Sequence, residues 1–216
     1  MKTNKKLIKA VLFDMDGVLI EAKDWHYESL NMALDIFGMP ISRLDHLTTF
    51  DGLPTRKKLE MLSLEKGLPR QLHEFINELK QSYTQEIVFK SCKPLFVHEK
   101  ALATLKSQGY KMAVCSNSVR ASVTLMMERS NLSQYLDLMI SNEDVSQGKP
   151  DPEMYLKAMA ELNVRPEECL ILEDNENGIK AARASKGHLM VVQEVHDVTW
   201  EAISSRIIDI EREAST

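Results

Sequence analysis

Two aspartates, Asp14 and Asp16, stand one residue apart at the end of the apolar run IKAVLF and are followed by Gly17. More polar groups fall just behind apolar runs: Ser116-Asn117 after YKMAVC, Lys149 in the loop SNEDVSQGKPDP after DLMI, and Glu173-Asp174 after CLIL. If these runs are parallel strands of one sheet, all of these groups reach the same edge. Carboxylates crowded there repel one another unless a cation neutralises them. A hard divalent ion answers that need, and Mg²⁺ favours carboxylates together with substrate phosphate oxygens. Taken singly, each group has an ordinary reading. Asp and Ser cap helices and make turns, Lys149 could be a solvated loop lysine, and Glu173-Asp174 could start a helix. None of these readings explains why the groups gather at one edge.

The edge exists only if the runs are strands. Residues 8–13, 110–115, 137–140, 169–172 and 188–192 are continuous apolar runs, which suits strands covered on both faces. Helical patterns lie between them: Ala101, Leu102 and Leu105 before Gly109; Val123, Met126 and Met127 after Ser116–Ser118; Met154, Leu156, Ala158, Met159 and Leu162 after Pro152. This alternation predicts an α/β fold with a doubly wound parallel, Rossmann-like sheet. Such sheets bind ligands at the carboxyl ends of their strands. Residues 21–92 break the alternation and read as all-helical, with helices near 23–37, 55–66 and 70–89. On the third, Leu72, Phe75, Ile76, Leu79, Tyr83 and Ile87 recur at helical spacing, and Lys80 is expected to be solvated. The expected domains are a core of residues 1–20 and 93–216 and a helical insertion, 21–92.

Composition narrows the ligand class. The 216 residues carry 27 Lys+Arg against 32 Asp+Glu, a net charge of −5, and are 44% hydrophobic. This is an ordinary globular balance, in a chain long enough to bury a core without staples. No basic stripe with interleaved aromatics is present, so no nucleic-acid partner is expected. The apolar runs are far shorter than the roughly 20 residues of a membrane span. Asp14 and Asp16 interrupt the N-terminal run where a signal peptide needs an uncharged core. The expectation is a cytoplasmic protein with no membrane partner. Cys92, Cys115 and Cys169 follow no metal spacing, and Cys115 reads as a buried small hydrophobe. An anionic ligand would have to be drawn by a few placed cations, not by the overall field.

Asp14-Met15-Asp16-Gly17-Val18, Ser116-Asn117, Lys149-Pro150 and Glu173-Asp174 resemble, in order and spacing, the four motifs of the haloacid dehalogenase superfamily. The insertion is similar to that superfamily's helical (C1-type) cap. The stretches GKPDPEMYLKAM and LILEDNENGIKAA resemble the branch of β-phosphoglucomutase and small sugar-phosphate phosphatases. The resemblance covers nearly the whole chain. It implies a phosphomonoester hydrolase with Mg²⁺ as cofactor, an aspartyl-phosphate intermediate and a small phosphorylated metabolite, of the sugar-phosphate class, as partner.

The resemblance also implies roles. Asp14 would be the nucleophile. Asp16 would protonate the leaving alkoxide and then deprotonate the attacking water. Ser116, the backbone amide of Asn117 and Lys149 would bind the phosphoryl group, while Asp14, Asp16 through its carbonyl, Glu173 and Asp174 would serve the metal. In the cap, His26 and Arg56 fall where relatives present a His to the substrate and an Arg to a phosphate or sugar; ordinary surface placement is the competing reading for both. Glu21-Ala22 departs from the Asp-Thr or Asp-Ser of many relatives, and the lost hydroxyl counts against a phosphomutase, the alternative function. A catalytically silent binding protein is the third reading, opposed by intact Asp14, Asp16, Lys149 and Asp174. The protein is expected to be a monomer or a dimer.

Overall fold

The computed structural model describes residues 7–50 and 53–214. The N-terminal start MKTNKK and Asp51-Gly52 of the segment FDGLPTR lie outside the described residues. The chain divides into two compact units, one made of the residues up to Glu21 and from Lys93 onward, the other of Ala22–Cys92.

In the first unit, β1 (Ala10–Phe13), β2 (Lys111–Cys115), β3 (Leu138–Ile140), β4 (Cys169–Glu173) and β5 (His188–Val191) form one parallel sheet in the order β3-β2-β1-β4-β5. This is the strand order of a doubly wound α/β fold. The helices among the described residues are, in chain order, α1 (Lys23–Asp35), α2 (Arg43–Asp45), α3 (Thr55–Lys66), α4 (His73–Ser91), α5 (Phe96–Ser107), α6 (Arg120–Arg129), α7 (Glu153–Glu161), α8 (Glu176–Ala184) and α9 (Trp200–Glu213).

Alternate strand residues serve two different layers. Ala10, Leu12, Ala113, Cys115 and Ile171 pack with Met154, Tyr155 and Met159 of α7 and with Ala181 and Ala182 of α8. Val11, Phe13, Met112, Val114, Leu170 and Leu172 are fully buried on the opposite face, where α5 packs on β2 and α9. Two-sided coverage is why the central strands read as unbroken apolar runs. The helix α9 corresponds to no helical pattern singled out in the sequence. It buries Ile203, Ile207 and Ile210 along one face, and the Thr199 side chain caps it by accepting from Ala202 N–H.

The second unit closes on a core of its own. Leu30, Ala33 and Leu34 of α1 meet Leu59 and Leu62 of α3, Ile76 of α4, and Phe50. Between α1 and α3 the chain forms α2 and a π-helical turn, His46–Phe50, where the sequence pattern suggested no helix. The buried stripe of α4 is Ile76, Lys80, Thr84 and Val88, residues four apart on one face. Lys80 is therefore buried, which corrects the solvated position expected for it, and Phe75 is half exposed. The aliphatic stem of a lysine can line an apolar stripe while its head finds polar company, here His26 Nδ1 at 3.4 Å. Among the described residues, no helix is long and apolar enough to cross a membrane.

Candidate active site

Phe13 is in register with Val114 on one side and Leu172 on the other. The residues that follow, Asp14, Cys115 and Glu173, therefore line up at the carboxyl ends of β1, β2 and β4. Strand order reverses beside β1, and doubly wound sheets bind their ligands at such a point. Asp14 is buried and donates its N–H to the Leu172 carbonyl at 2.9 Å. The chain then turns at once. Gly17 takes φ 90° and donates its N–H to the Ile20 carbonyl at 2.7 Å. A side chain at that φ would be strained, so glycine is the residue that lets the chain turn directly behind Asp16.

Lys149 reaches this edge from the loop before α7. Its Nζ donates to Asp14 Oδ1 at 2.6 Å, to the Cys115 carbonyl at 2.8 Å and to Glu173 Oε1 at 2.7 Å. Those contacts use all the donors of an ammonium group. Glu173 is 0% exposed and Lys149 4%. Oxygens of Asp14, Glu173 and Asp174 all lie within 4.8 Å of one another. One ammonium among these carboxylates leaves an excess of negative charge. Burial pushes the Asp14 carboxyl well above the usual carboxylate range, and the charge of Glu173 adds to this, while Lys149 pulls it back. Burial alone would lower the Lys149 pKa, but Asp14 and Glu173 more than offset it and the amine stays protonated. Burial raises the Cys115 thiol to about 12, so the sulfur is inert and only its backbone carbonyl takes part. A close set of hard oxygen donors short of positive charge fits Mg²⁺.

Glu173 can occupy its place only because α8 passes without a side chain. A Cβ at Gly178 would lie 1.9 Å from Glu173 Oε1. The same helix begins at Asn175, whose side chain accepts the Gly178 N–H at 3.0 Å.

Ser116 and Asn117 follow β2. Ser116 is buried, donates its N–H to Ile140 at 3.0 Å, and its Oγ accepts the Ser118 N–H at 3.0 Å. The Asn117 side chain brackets the backbone of Lys149, accepting its N–H at 2.9 Å and donating to its carbonyl at 3.2 Å. Asn117 thus holds the lysine loop with its amide side chain, a task separate from anything its backbone N–H does. Asp16 is half buried, and its Oδ2 accepts from the Ser118 hydroxyl at 3.1 Å.

The structure thus brings Asp14, Lys149, Glu173 and Asp174 into one cluster and ties Asp16 to the Ser116–Ser118 turn. His26 and Arg56 lie in the other unit. His26, on α1, is half buried near Lys80. Arg56, on α3, has a side chain 88% exposed and pairs with Glu60 at 3.2 Å. Sequence reasoning did not find Ser118, Tyr155 or Gly178. Only the GKPDPEMYLKAM stretch, which carries Tyr155 six residues past Lys149, held a usable signal.

Residues 11–192 match the family described as haloacid dehalogenase-like hydrolase. The chain is 30% identical over 181 residues to a phosphorylated carbohydrates phosphatase of Thermotoga maritima, with 82% of each chain covered. It is 29% identical over 176 residues to a phosphoglycolate phosphatase of Aquifex aeolicus, covering 82% of this chain and 80% of the relative. The solved structure of a β-phosphoglucomutase from Clostridium difficile has the same fold, with a TM-score of 0.81 at 20% identity over 94% of this chain and 98% of the other.

Proposed function

The chain belongs to the haloacid dehalogenase-like hydrolase family and is one of its phosphatases, and we propose that it hydrolyses a small phosphorylated carbohydrate with Mg²⁺ through a phosphoaspartate. The observation that carries this reading is the buried Asp14 carboxylate, held at 2.6 Å by Lys149 beside Glu173 and Asp174. Lys149 fixes the rotamer of Asp14, which attacks phosphorus in line with the departing alkoxide. Asp16, steadied by the Ser118 hydroxyl, protonates that alkoxide and then takes a proton from the water that opens the phosphoaspartate. The Ser116 hydroxyl and the Asn117 N–H receive the phosphoryl oxygens, and the Lys149 ammonium, with its protons already placed, offsets their charge from beside Asp14. Asp14, Glu173, Asp174 and the Asp16 carbonyl would hold Mg²⁺. When bound, the ion supplies positive charge for the phosphate oxygens and for the acidic cluster.

Phosphate release from sugar phosphates and nucleotides, measured with and without Mg²⁺, tests the assignment. Mg²⁺-dependent release from sugar phosphates is expected. Isomerisation primed by a bisphosphate, without phosphate accumulating, would make the protein a phosphomutase, and silence across the panel would leave a binding protein. Ca²⁺ is expected to inhibit, because it takes more ligands at longer distance and should draw Asp14 from in-line geometry. Full activity in chelator would contradict the metal requirement.

In this reading Ala22–Cys92 is the cap that selects the leaving group, with His26 and Arg56 as contacts. Alanine at either is expected to lower kcat/KM for the true substrate by about 1–3 kcal/mol, the scale of one polar contact. Hydrolysis of a small aryl phosphate should change little. Equal losses on both substrates would remove these residues from the specificity site. The free thiols Cys92, Cys115 and Cys169 suit a reducing compartment and support a cytoplasmic setting.

A further inference from the structure

We propose that Tyr155 is a positioning residue for the metal-binding carboxylate: by holding Oε1 of Glu173, its hydroxyl leaves Oε2 as the oxygen offered to the cation. The inference rests on the Mg²⁺ reading given above.

Tyr155 sits on α7, is 0% exposed and is packed among Ala113, Cys115, Ile140 and Ala181. A phenylalanine would fill the same apolar space without burying a hydroxyl. A buried phenol needs a partner, and this one donates to Glu173 Oε1 at 2.5 Å. The same oxygen accepts from Lys149 Nζ at 2.7 Å. Two donors use the acceptor sites of one carboxylate oxygen. The other oxygen, Oε2, accepts among the described residues only the longer 3.2 Å bond from Asp174 N–H and so lies on the side of Asp174. The tyrosine therefore decides which end of Glu173 faces the cluster.

The hydroxyl does a second thing. Lys149 must divide its protons among Asp14, Glu173 and the Cys115 carbonyl. With Tyr155 on Oε1, the glutamate is pinned by a neutral donor as well as by the ammonium. Without it, Glu173 keeps only Lys149 on Oε1 and the longer bond from Asp174 N–H on Oε2, and the carboxylate can swing so that both of its oxygens meet the ammonium. That rotation would withdraw a ligand oxygen and loosen the hold on Asp14. The missing side chain at Gly178 shows how closely this rotamer is accommodated, since even a methyl group there would collide with both Glu173 oxygens, at 1.9 and 2.1 Å. Groups that orient a ligating carboxylate in this way commonly contribute about 10- to 100-fold to metal affinity.

The test is Mg²⁺ binding by calorimetry, and by the Mg²⁺ dependence of Tm, on the full chain carrying Tyr155→Phe, Glu173→Gln, or both. Tyr155→Phe is expected to weaken Mg²⁺ by about 10-fold or more, with near-UV circular dichroism and metal-free Tm close to wild type. In the Glu173→Gln background, Tyr155→Phe should add no further loss, because the tyrosine acts through that carboxylate. Wild-type affinity in Tyr155→Phe, an equal loss in both backgrounds, or a collapsed fold would each overturn the proposal. Absence of Mg²⁺ binding by the wild-type chain would overturn the metal reading itself and the tyrosine proposal with it, whereas the other outcomes leave that reading in place.

Discussion

Asp14→Asn should abolish turnover, by about three orders of magnitude or more, while the folded protein is as stable as wild type or more so. The two halves of this expectation have one cause. Asparagine matches aspartate in shape and keeps an oxygen for Lys149, so the 2.6 Å contact survives. It has no anionic oxygen to attack phosphorus. In the native site the Asp14 charge is disfavoured, by burial first and by Glu173 second, with Lys149 working against both. A carboxyl whose folded pKa is raised above its unfolded value binds protons more tightly when folded. Its contribution to stability therefore falls as pH rises from the unfolded carboxylate range, about 4, to the raised folded value. Asparagine removes that slope. Phosphate release together with thermal melts at pH 5 and pH 8 check both halves. Activity within about tenfold of wild type would remove Asp14 as the nucleophile, and a clear loss of stability at pH 8 would mean that its charge is welcome where it sits.

The parts of this site that were legible in the sequence are those fixed by backbone topology. A polar residue behind a buried parallel strand must emerge at the sheet edge, so Asp14, Ser116 and Glu173 could be placed without any side-chain geometry. The parts that were not legible depend on which way a side chain turns. Asn117 was expected to serve through its backbone, yet its amide group clamps the Lys149 backbone, a pairing across 32 residues that no local pattern announces. Lys80 was misplaced because its charge outweighed its position. Ile76, Lys80, Thr84 and Val88 form a strict step of four that marks one helix face, and the apolar residues Phe75 and Leu79 drew the expected face to one side of it. Gly178 looked like any helical glycine, and only the packing of α8 over Glu173 explains it. The helix α9 escaped notice for a different reason. Its isoleucines are spaced for a helix, but a charged residue or serine separates nearly all of them, so no apolar run stands out.

Lys149→Met should lower stability by about 3–5 kcal/mol, the usual consequence of removing one partner from a buried ion pair, and the deficit should grow with pH. Methionine fills most of the lysine's volume, so packing is nearly preserved and the change isolates the charge. It leaves Asp14 and Glu173 facing each other, both almost fully buried and with no ammonium between them. The pH signature follows from the sign of each shift. The folded pKa of Lys149 is raised, so its stabilising contribution is fully present at neutral pH and is lost only as pH rises through that high value. Between pH 5 and pH 8 it is constant and cannot produce a slope. Asp14 can, because Lys149 is the neighbour that pulls its raised pKa back down. Without the lysine, Asp14 stays protonated to higher pH, and each further unit of pH costs up to about 1.4 kcal/mol per proton held. Urea melts of both proteins at pH 5, 6, 7 and 8 in chelator should therefore diverge with rising pH. Turnover should fall at least about a hundredfold at every pH, since the cation that meets developing phosphate charge is gone. The double variant Asp14→Asn/Lys149→Met supplies the decisive comparison. Neutralising Asp14 removes one of the stranded charges, so the double variant should be more stable than Lys149→Met alone and should lose most of its pH slope. A double variant no more stable than Lys149→Met would mean that the lysine is needed for packing, and the charge balance assigned to this cluster would be wrong.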